Sequence, residues 1–542
     1  MTREIITLQL GHYANYVGAH WWNLQEANFS YDPSHPSEID NDVLYREGEN
    51  PRREVTFTPR LLIVDLKGSL GYLPERGSLY DQVPDPESGP SGLWDPDNLE
   101  VTTEDPLPKS PFIQSLEKSR ETEEEVSLDL DTEIQSWVDY LVPRFHTRTV
   151  NIIREYQHKS SSPPFDVFHY GRNLWSSEQF QDDFCDRIRA YAEECDLMQG
   201  FQVLLDSTDA FAGLSTSCIE HLHDEYTKSI VAFPLIESRN SKPSASDHLK
   251  AVNIALCYQQ LNEHVSLYSP LSCGENGWLS SGAPRVLPYL TYNQDLRYHT
   301  SALLATTLDT LTIRYRHKQH TMSSLSDLCA DLNKSGRKAA ATTLSLPFPM
   351  TVKRDLIDIL DDLENESTPL WTSLTPRVTV SGDSCMQSLT LRGVREDRLK
   401  RPVPEARKQM AKPAYRCSTV HEMMSMYLAY SCHASATHLT TLESGLKVSA
   451  PFPKIFKDNI HGNGDIAGWP VGEEVKSVPV LSGIHSTPEL SRLFESLHDS
   501  LASIKNIKRF HALADSGLEQ DDFKECLDHL LDSKENYEEH FV

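Results

Sequence analysis

The period of the hydrophobic pattern changes several times along the chain, and each change marks an element. Glu4 to Leu10 (EIITLQL) reads as a strand closed by Gly11, and Asn15 to Trp22 opens a helix. Pro59 to Leu66 is an apolar run ending in the polar turn Lys67-Gly68, as in a strand buried on both faces. Thr149 to Tyr156 gives another strand. From Asp182 to Tyr226 the pattern runs helix, strand, loop, helix. Ile188, Tyr191, Ala192 and Cys195 share one helical face, and Gly200 is placed as the C-cap. Phe201 to Leu205 is a short buried strand, and Cys218, Ile219 and Leu222 mark the second helix. Ser229 to Ile236 is a further strand, and Ser246 to Ser266 a helix and strand. Strands alternating with helices build a parallel sheet covered by helices. A strand that feeds a loop and then a helix aims backbone N–H groups at a phosphate.

Elsewhere the pattern weakens. From Ser78 to about Ser127 prolines crowd the chain beside the acidic run Glu121, Glu123, Glu124 and Glu125, which predicts an extended or disordered insertion. Glu133 to Leu141 predicts a short amphipathic helix stopped by Pro143, and Asn293 to about Thr312 a long one. Two basic stretches follow, Arg314 to His320 and Arg392 to Arg416. Both read as solvated loops. In the second, Arg395, Arg398, Lys400 and Arg401 are candidates to meet an acidic partner or anionic lipid.

Length allows two or three domains. A net charge of −28 argues against binding a nucleic-acid backbone. Ten scattered cysteines without a CxxC pair suit a reducing compartment. The 22 histidines show no metal-ligand spacing: His421-Glu422 lacks the second histidine of HExxH, and His221 and His223 face different ways on a helix. No metal is expected. No apolar run approaches the ~18 residues that span a bilayer, and the first residues carry no leader pattern.

REIITLQLGHYANYVGAHWWN is similar to the first strand, phosphate loop and helix of the tubulin superfamily. Arg3, Glu4, Ile5, Gln9, Gly11, Asn15, Gly18 and Ala19 fall on matching positions. DRIRAYAEECDLMQGFQ resembles the helix and strand before the glycine-rich loop GGGTGSG, but the loop here is Ser207 to Gly213, with one glycine left. PRLLIVDLKG resembles PRAVLVDLEPG, with Lys67 replacing an acidic residue. Asn173-Leu174-Trp175 resembles a family loop, and Tyr292 matches the tyrosine that stacks on the base. Leu267 to Ser272 has no guanine-reading asparagine. Asp327 is the nearest counterpart of the catalytic acidic residue. TLRG, GLKV and SVPVLS in the second half, and Lys508 to His511, Gly517, Glu519, Phe523 and Tyr537 to Glu539 at the end, follow the family as well. LQLGHYANYVGAHWWN together with PRLLIVDLKGSL looks specifically like the Misato family of divergent tubulin-like proteins.

The resemblance implies an α/β, tubulin-like fold. Residues 1–290 would form a Rossmann-type parallel-sheet domain with the insertion at about 78–127. Residues 291–312 would be a central helix, 313–480 a second α+β domain, and 481–542 C-terminal helices. It implies a degenerate nucleotide site at Gly11, His12, Asn15, Lys67, Thr208, Gly213 and Tyr292. No cofactor is expected, and GTP only weakly, no tighter than ~100 μM, since each lost φ > 0 glycine costs roughly 1–2 kcal/mol. The implied function is non-enzymatic. It lies in mitochondrial distribution, morphology and fusion from the cytosolic side, and in cell division. Protein partners are expected at the outer mitochondrial membrane surface or the cytoskeleton, with the chain cytoplasmic or peripheral on that membrane. The alternative is an atypical, polymerising GTPase. The lost glycines, the acidic insertion after Lys67 and the basic run Arg314 to His320 favour a monomer or small oligomer without filaments.

Overall fold

The structure is a computed structural model and describes residues 3–29, 37–50, 53–77, 79, 107–122, 129–160, 162–238, 245–278, 282–318, 323–366, 368–381, 384–400, 413–432, 434–504, 507 and 510–538. In chain order the first half comprises β1 (Ile5–Leu10), α1 (His12–Asn28), the hairpin β2 (Tyr45–Glu49) and β3 (Val55–Pro59), and β4 (Leu61–Lys67). Next come α2 (Pro111–Thr122), α3 (Leu130–Glu133), β5 (Val150–Gln157), α4 (Phe168–Trp175), α5 (Glu178–Glu193) and β6 (Gly200–Asp206). Then follow α6 (Ala210–Tyr226), β7 (Ser229–Leu235), α7 (Ala245–His264) and β8 (Leu267–Tyr268). The six strands β5-β4-β1-β6-β7-β8 pair in that order, all parallel, with Leu8 opposite both Leu62 and Val203. β1 and β6 are buried at every position, because continuous apolar runs suit a sheet covered on both faces.

The second half begins with α8 (Arg297–Leu311), followed by α9 (Leu325–Leu332), β9 (Ala341–Ser345), α10 (Leu356–Glu366), β10 (Thr372–Ser373), β11 (Ser384–Arg392) and α11 (Val420–Ser431). It continues with β12 (Ala434–Leu442), β13 (Leu446–Lys447), β14 (Ser477–Val478) and β15 (Val480–Ser486), and ends in α12 (Ser491–Ala502), α13 (His511–Asp515) and α14 (Gln520–Glu538). A five-stranded mixed sheet runs β10-β9-β15-β11-β12, with β15 antiparallel to both neighbours. α8 is buried from Tyr298 to Leu311 and lies between α1 on one side and β11 and β15 on the other. One apolar cluster therefore joins the halves, from Val17 and Trp21 through Leu304 and Leu308 to Val480 and Ile484. A second holds the opposite face of the parallel sheet against α12 and α14, from Ile6 and Phe201 to Phe494 and Tyr537.

Several expectations change. α1 begins at His12, three residues before the predicted start. The segment expected to lack structure contains α2, whose Phe112 and Ile113 are buried in the main cluster; residues 80–106 and 123–128 lie outside the described residues. Glu133 to Leu141 is not one helix: α3 ends at Glu133, and Trp137–Tyr140 form a 3-10 turn capped by Ser136 and Asp139. Asn173-Leu174-Trp175 ends a helix rather than forming a loop. Gly200 is no C-cap. It opens β6, where a Cβ would stand 2.0 Å from the Ser229 carbonyl oxygen. The long helix starts at Arg297, not Asn293.

The basic stretch after α8 is not solvated where it is described. Arg314, Arg316 and His317 are buried. Arg314 pairs with Asp331 and donates to Ser388 Oγ at 3.0 Å. Arg316 donates to Asp309 Oδ1 at 3.1 Å and to the Asp309 carbonyl at 2.7 Å, while Arg392 reaches Asp309 Oδ2 at 2.7 Å. Gln25 of α1 donates to the same carboxylate. Three elements, α1, α8 and β11, are tied through one buried aspartate.

Candidate functional site: the C-terminal edge of the parallel sheet

The carboxyl ends of β1, β4, β5 and β6 converge where α1 and α6 begin, the place where open α/β sheets bind ligands. Both helices present N-terminal N–H groups and the positive ends of their dipoles there. In this chain several of those donors are already taken. Asp206, at the end of β6, accepts from the Tyr13 N–H through Oδ2 and from the Ala14 N–H through Oδ1, both at 2.8 Å. Its carboxylate fits because residue 11 is glycine, at φ +132°: a Cβ on Gly11 would stand 2.4 Å from Asp206 Cγ. Burial, together with repulsion from Asp209, pushes the Asp206 carboxyl well above the ordinary carboxylate range. At α6, Asp209 Oδ1 accepts from the Phe211 N–H at 2.9 Å, and the Ala210 N–H meets the Phe165 carbonyl at 3.5 Å. The Phe165 and Phe211 rings pack edge to face at 5.0 Å over that turn. Burial raises Asp209 to about 7.

Asp65 is the second focus. It is fully buried at the end of β4 and accepts through Oδ2 from Asn15 Nδ2 at 3.0 Å and Trp137 Nε1 at 2.9 Å, with His12 Nδ1 at 3.1 Å from the same oxygen. The Leu66 N–H occupies Oδ1 at 2.8 Å. Burial pushes Asp65 up, but the charge and hydrogen bond of His12, with those of Leu66 and Asn15, outweigh it and hold the carboxyl below its ordinary value. His158, just past β5, packs against His12 with ring centres 4.0 Å apart and planes tilted by 38°, and its backbone N–H donates to the Lys67 carbonyl at 2.9 Å. Burial and the neighbouring His12 lower His158 to about 4. Beside these groups lies a cleft of about 510 Å³ lined by Tyr16, Asp131, His158, Lys159, Arg297 and Tyr298. Arg297 is held by two bonds to Glu237, at 2.8 and 2.9 Å.

The predicted site residues divide. Gly11, His12 and Asn15 do meet at the edge. Lys67 is exposed at the end of β4. Thr208 is half-buried, and its carbonyl accepts from Asn253 Nδ2 at 2.9 Å. Gly213 is not in the loop: it sits inside α6, where a Cβ would strike the Phe168 carbonyl at 1.8 Å, so its smallness serves the contact of α6 with α4. Tyr292 lies before α8 and donates its hydroxyl to the Arg285 carbonyl at 2.7 Å. Asp327 caps a helix: with Ser324 it forms a capping box at the start of α9, and the Ser324 hydroxyl holds its carboxyl below the ordinary value.

Of the basic partner-contact residues, Arg398 is bound to both oxygens of Asp465, at 3.1 and 2.9 Å, and Lys400 to the carbonyls of Tyr415 and Cys417. Both are committed within the fold. Arg395 is exposed and pairs with Asp397, and Arg401 lies outside the described residues. Sequence reasoning missed Asp206, Asp65, Trp137 and His158. The visible signal for the first was an acidic residue at the end of a buried apolar strand.

The parallel six-stranded sheet, the two strand–turn–helix crossings at its edge and the buried helix leading to a second, mixed sheet define a tubulin-like protein, and the Tubulin domain family matches residues 128–317. The Misato Segment II tubulin-like domain family matches residues 3–118. The chain is 37% identical to Protein misato of Drosophila melanogaster, over 99% of this chain and 98% of that one. It is 33% identical to Protein misato homolog 1 of Mus musculus with the same coverage. It belongs to the misato family. Among the described residues no helix is long and apolar enough to cross a membrane.

Proposed function

We propose that this chain is a non-enzymatic tubulin-like scaffold that acts in mitochondrial distribution, morphology and fusion from the cytosolic side, at the outer membrane surface, and also in cell division. The organelle assignment rests on family resemblance. The non-enzymatic part rests on one observation: Asp206 places its own carboxylate on the two amides of α1 that a phosphate would need. A nucleotide would have to displace a buried acid and then sit beside Asp209, and each step opposes an anion.

The test is calorimetric titration of the purified chain with GTP and Mg²⁺. No binding tighter than ~100 μM is expected, and no filaments in negative stain; micromolar affinity or long filaments restore the GTPase reading. Asp206→Ser empties the amides, so inorganic phosphate should raise the melting temperature of this variant and leave the parent unmoved. For the cellular part, depletion should disturb the mitochondrial network and re-expression restore it; an unchanged network removes that part alone.

A further inference from the structure

Three side chains from three different crossings meet beneath the cleft: His12 opens α1, Asp65 ends β4 and His158 follows β5. Their ligand atoms all lie within 4.8 Å of one another, and His12 Nδ1 and Asp65 Oδ2 are 3.1 Å apart. We propose that His12, Asp65 and His158 form a binding site for a borderline-soft divalent cation of the zinc type, with one coordination position left open.

Geometry supports this. Two ligand atoms each ~2.1 Å from a tetrahedral zinc stand ~3.4 Å apart. The His12–Asp65 pair therefore needs to open by only a few tenths of an ångström, the cation replacing the proton the two share. His158 has to close in. It is half-buried, and among the described residues nothing hydrogen-bonds its ring nitrogens, so it is the ligand free to move. The donor set decides the metal. Two imidazoles and one carboxylate suit zinc and its neighbours, whereas Mg²⁺ and Ca²⁺ require oxygen ligands.

The surroundings fit a cation as well. Trp137 and Asn15 hold the same oxygen of Asp65, and the Leu66 N–H holds the other, which fixes the carboxylate's orientation as an outer shell does in metal sites. His158 also lines the cleft, which gives an ion a path from solvent.

The experiment uses the full chain, stripped with a chelator and titrated calorimetrically with Zn²⁺, with Mg²⁺ as control. Binding of one Zn²⁺ per chain is expected, with Mg²⁺ silent. His158→Ala, which removes no hydrogen bond made by the ring, should weaken zinc at least ~10-fold. His461→Ala, at an exposed His–Glu pair, should leave affinity unchanged. Titration with Co²⁺ reads the ligands without any mutation: intense visible bands signal a tetrahedral site with imidazole ligands. No zinc binding, zinc binding that ignores His158→Ala, or the weak bands of hydrated Co²⁺ would each overturn the site. GTP binding is read separately, so failure here leaves the scaffold reading untouched.

Discussion

Two buried aspartates organise this molecule in opposite ways. Asp309, in the helix between the halves, is answered by charge: Arg316 and Arg392 both donate to it, and Gln25 brings in α1. Asp206, at the sheet edge, accepts from two neutral amides and stands near a second carboxylate, Asp209. The first arrangement is a joint in which every partner is needed. The second is a plug, placed where an anionic ligand would otherwise complete the helix N-terminus. The Asp309 carboxylate is matched by two buried guanidinium groups. Burial and the neighbouring Asp209 make Asp206 hold its proton more tightly, against the pull of its two amides.

The largest effect should come from the joint. Asp309→Ala leaves two guanidinium groups buried without an anion, a loss of about 3–5 kcal/mol that denaturant unfolding would register. A loss under about 1 kcal/mol would show that the joint does not depend on its carboxylate. Asp206→Ala should cost less, about 1–3 kcal/mol for two amides left unsatisfied, and the two costs should differ most at neutral pH. If the plug cost as much as the joint, the two aspartates would not differ in the way their partners imply.

The third test is pH. Asp209 titrates at about 7 in the fold against 3.8 unfolded, so its contribution is complete below the unfolded value and is lost as pH rises toward 7. Asn caps a helix as well as Asp does. Asp209→Asn should therefore stabilise the chain at pH 8, by about 1–2 kcal/mol, and by little at pH 4. Buried His20 and His485, each lowered to about 3 by burial, act in the opposite sense: stability present above the unfolded value of 6.5 is lost as pH falls. A pH series of thermal melts on parent and variant separates the two. The smallest effect belongs to Asp327→Ala, about 1 kcal/mol for a lost capping box, measured by the same melts.

The sheet was legible because its strands are unbroken apolar runs; β1, β4 and β6 fall within a residue or two of the spans read from EIITLQL, LLIVDL and FQVLL. The site was less so. The cap of α1 is supplied by Asp206, which lies 193 positions from Tyr13, so no local signal placed that helix start at His12. Gly213 looked like a phosphate-loop glycine, but its close neighbour is Phe168 on α4, a contact no local pattern encodes. Arg314 and Arg316 look like surface charge in a linear pattern, since what buries them is Asp331 and Asp309 brought near by the fold. His12, Asp65 and His158 carry no spacing motif at all. The return of each strand to the same edge is what assembles them.

The position of β15 bears on how the protein is made. It lies in the middle of the second sheet, yet it is the last strand among the described residues, and Tyr537 closes the cluster that contains Ile6 and bonds the Ala339 carbonyl at 2.7 Å. Translation delivers the N-terminal half first, at ~5–20 residues per second. For most of that time β9 and β11 have no strand between them, and the apolar back of the parallel sheet is bare. The second sheet cannot be completed until β15 has been made. Both apolar clusters therefore close late, and a chain terminated before Val480 should expose β9, β11 and the apolar back of the parallel sheet.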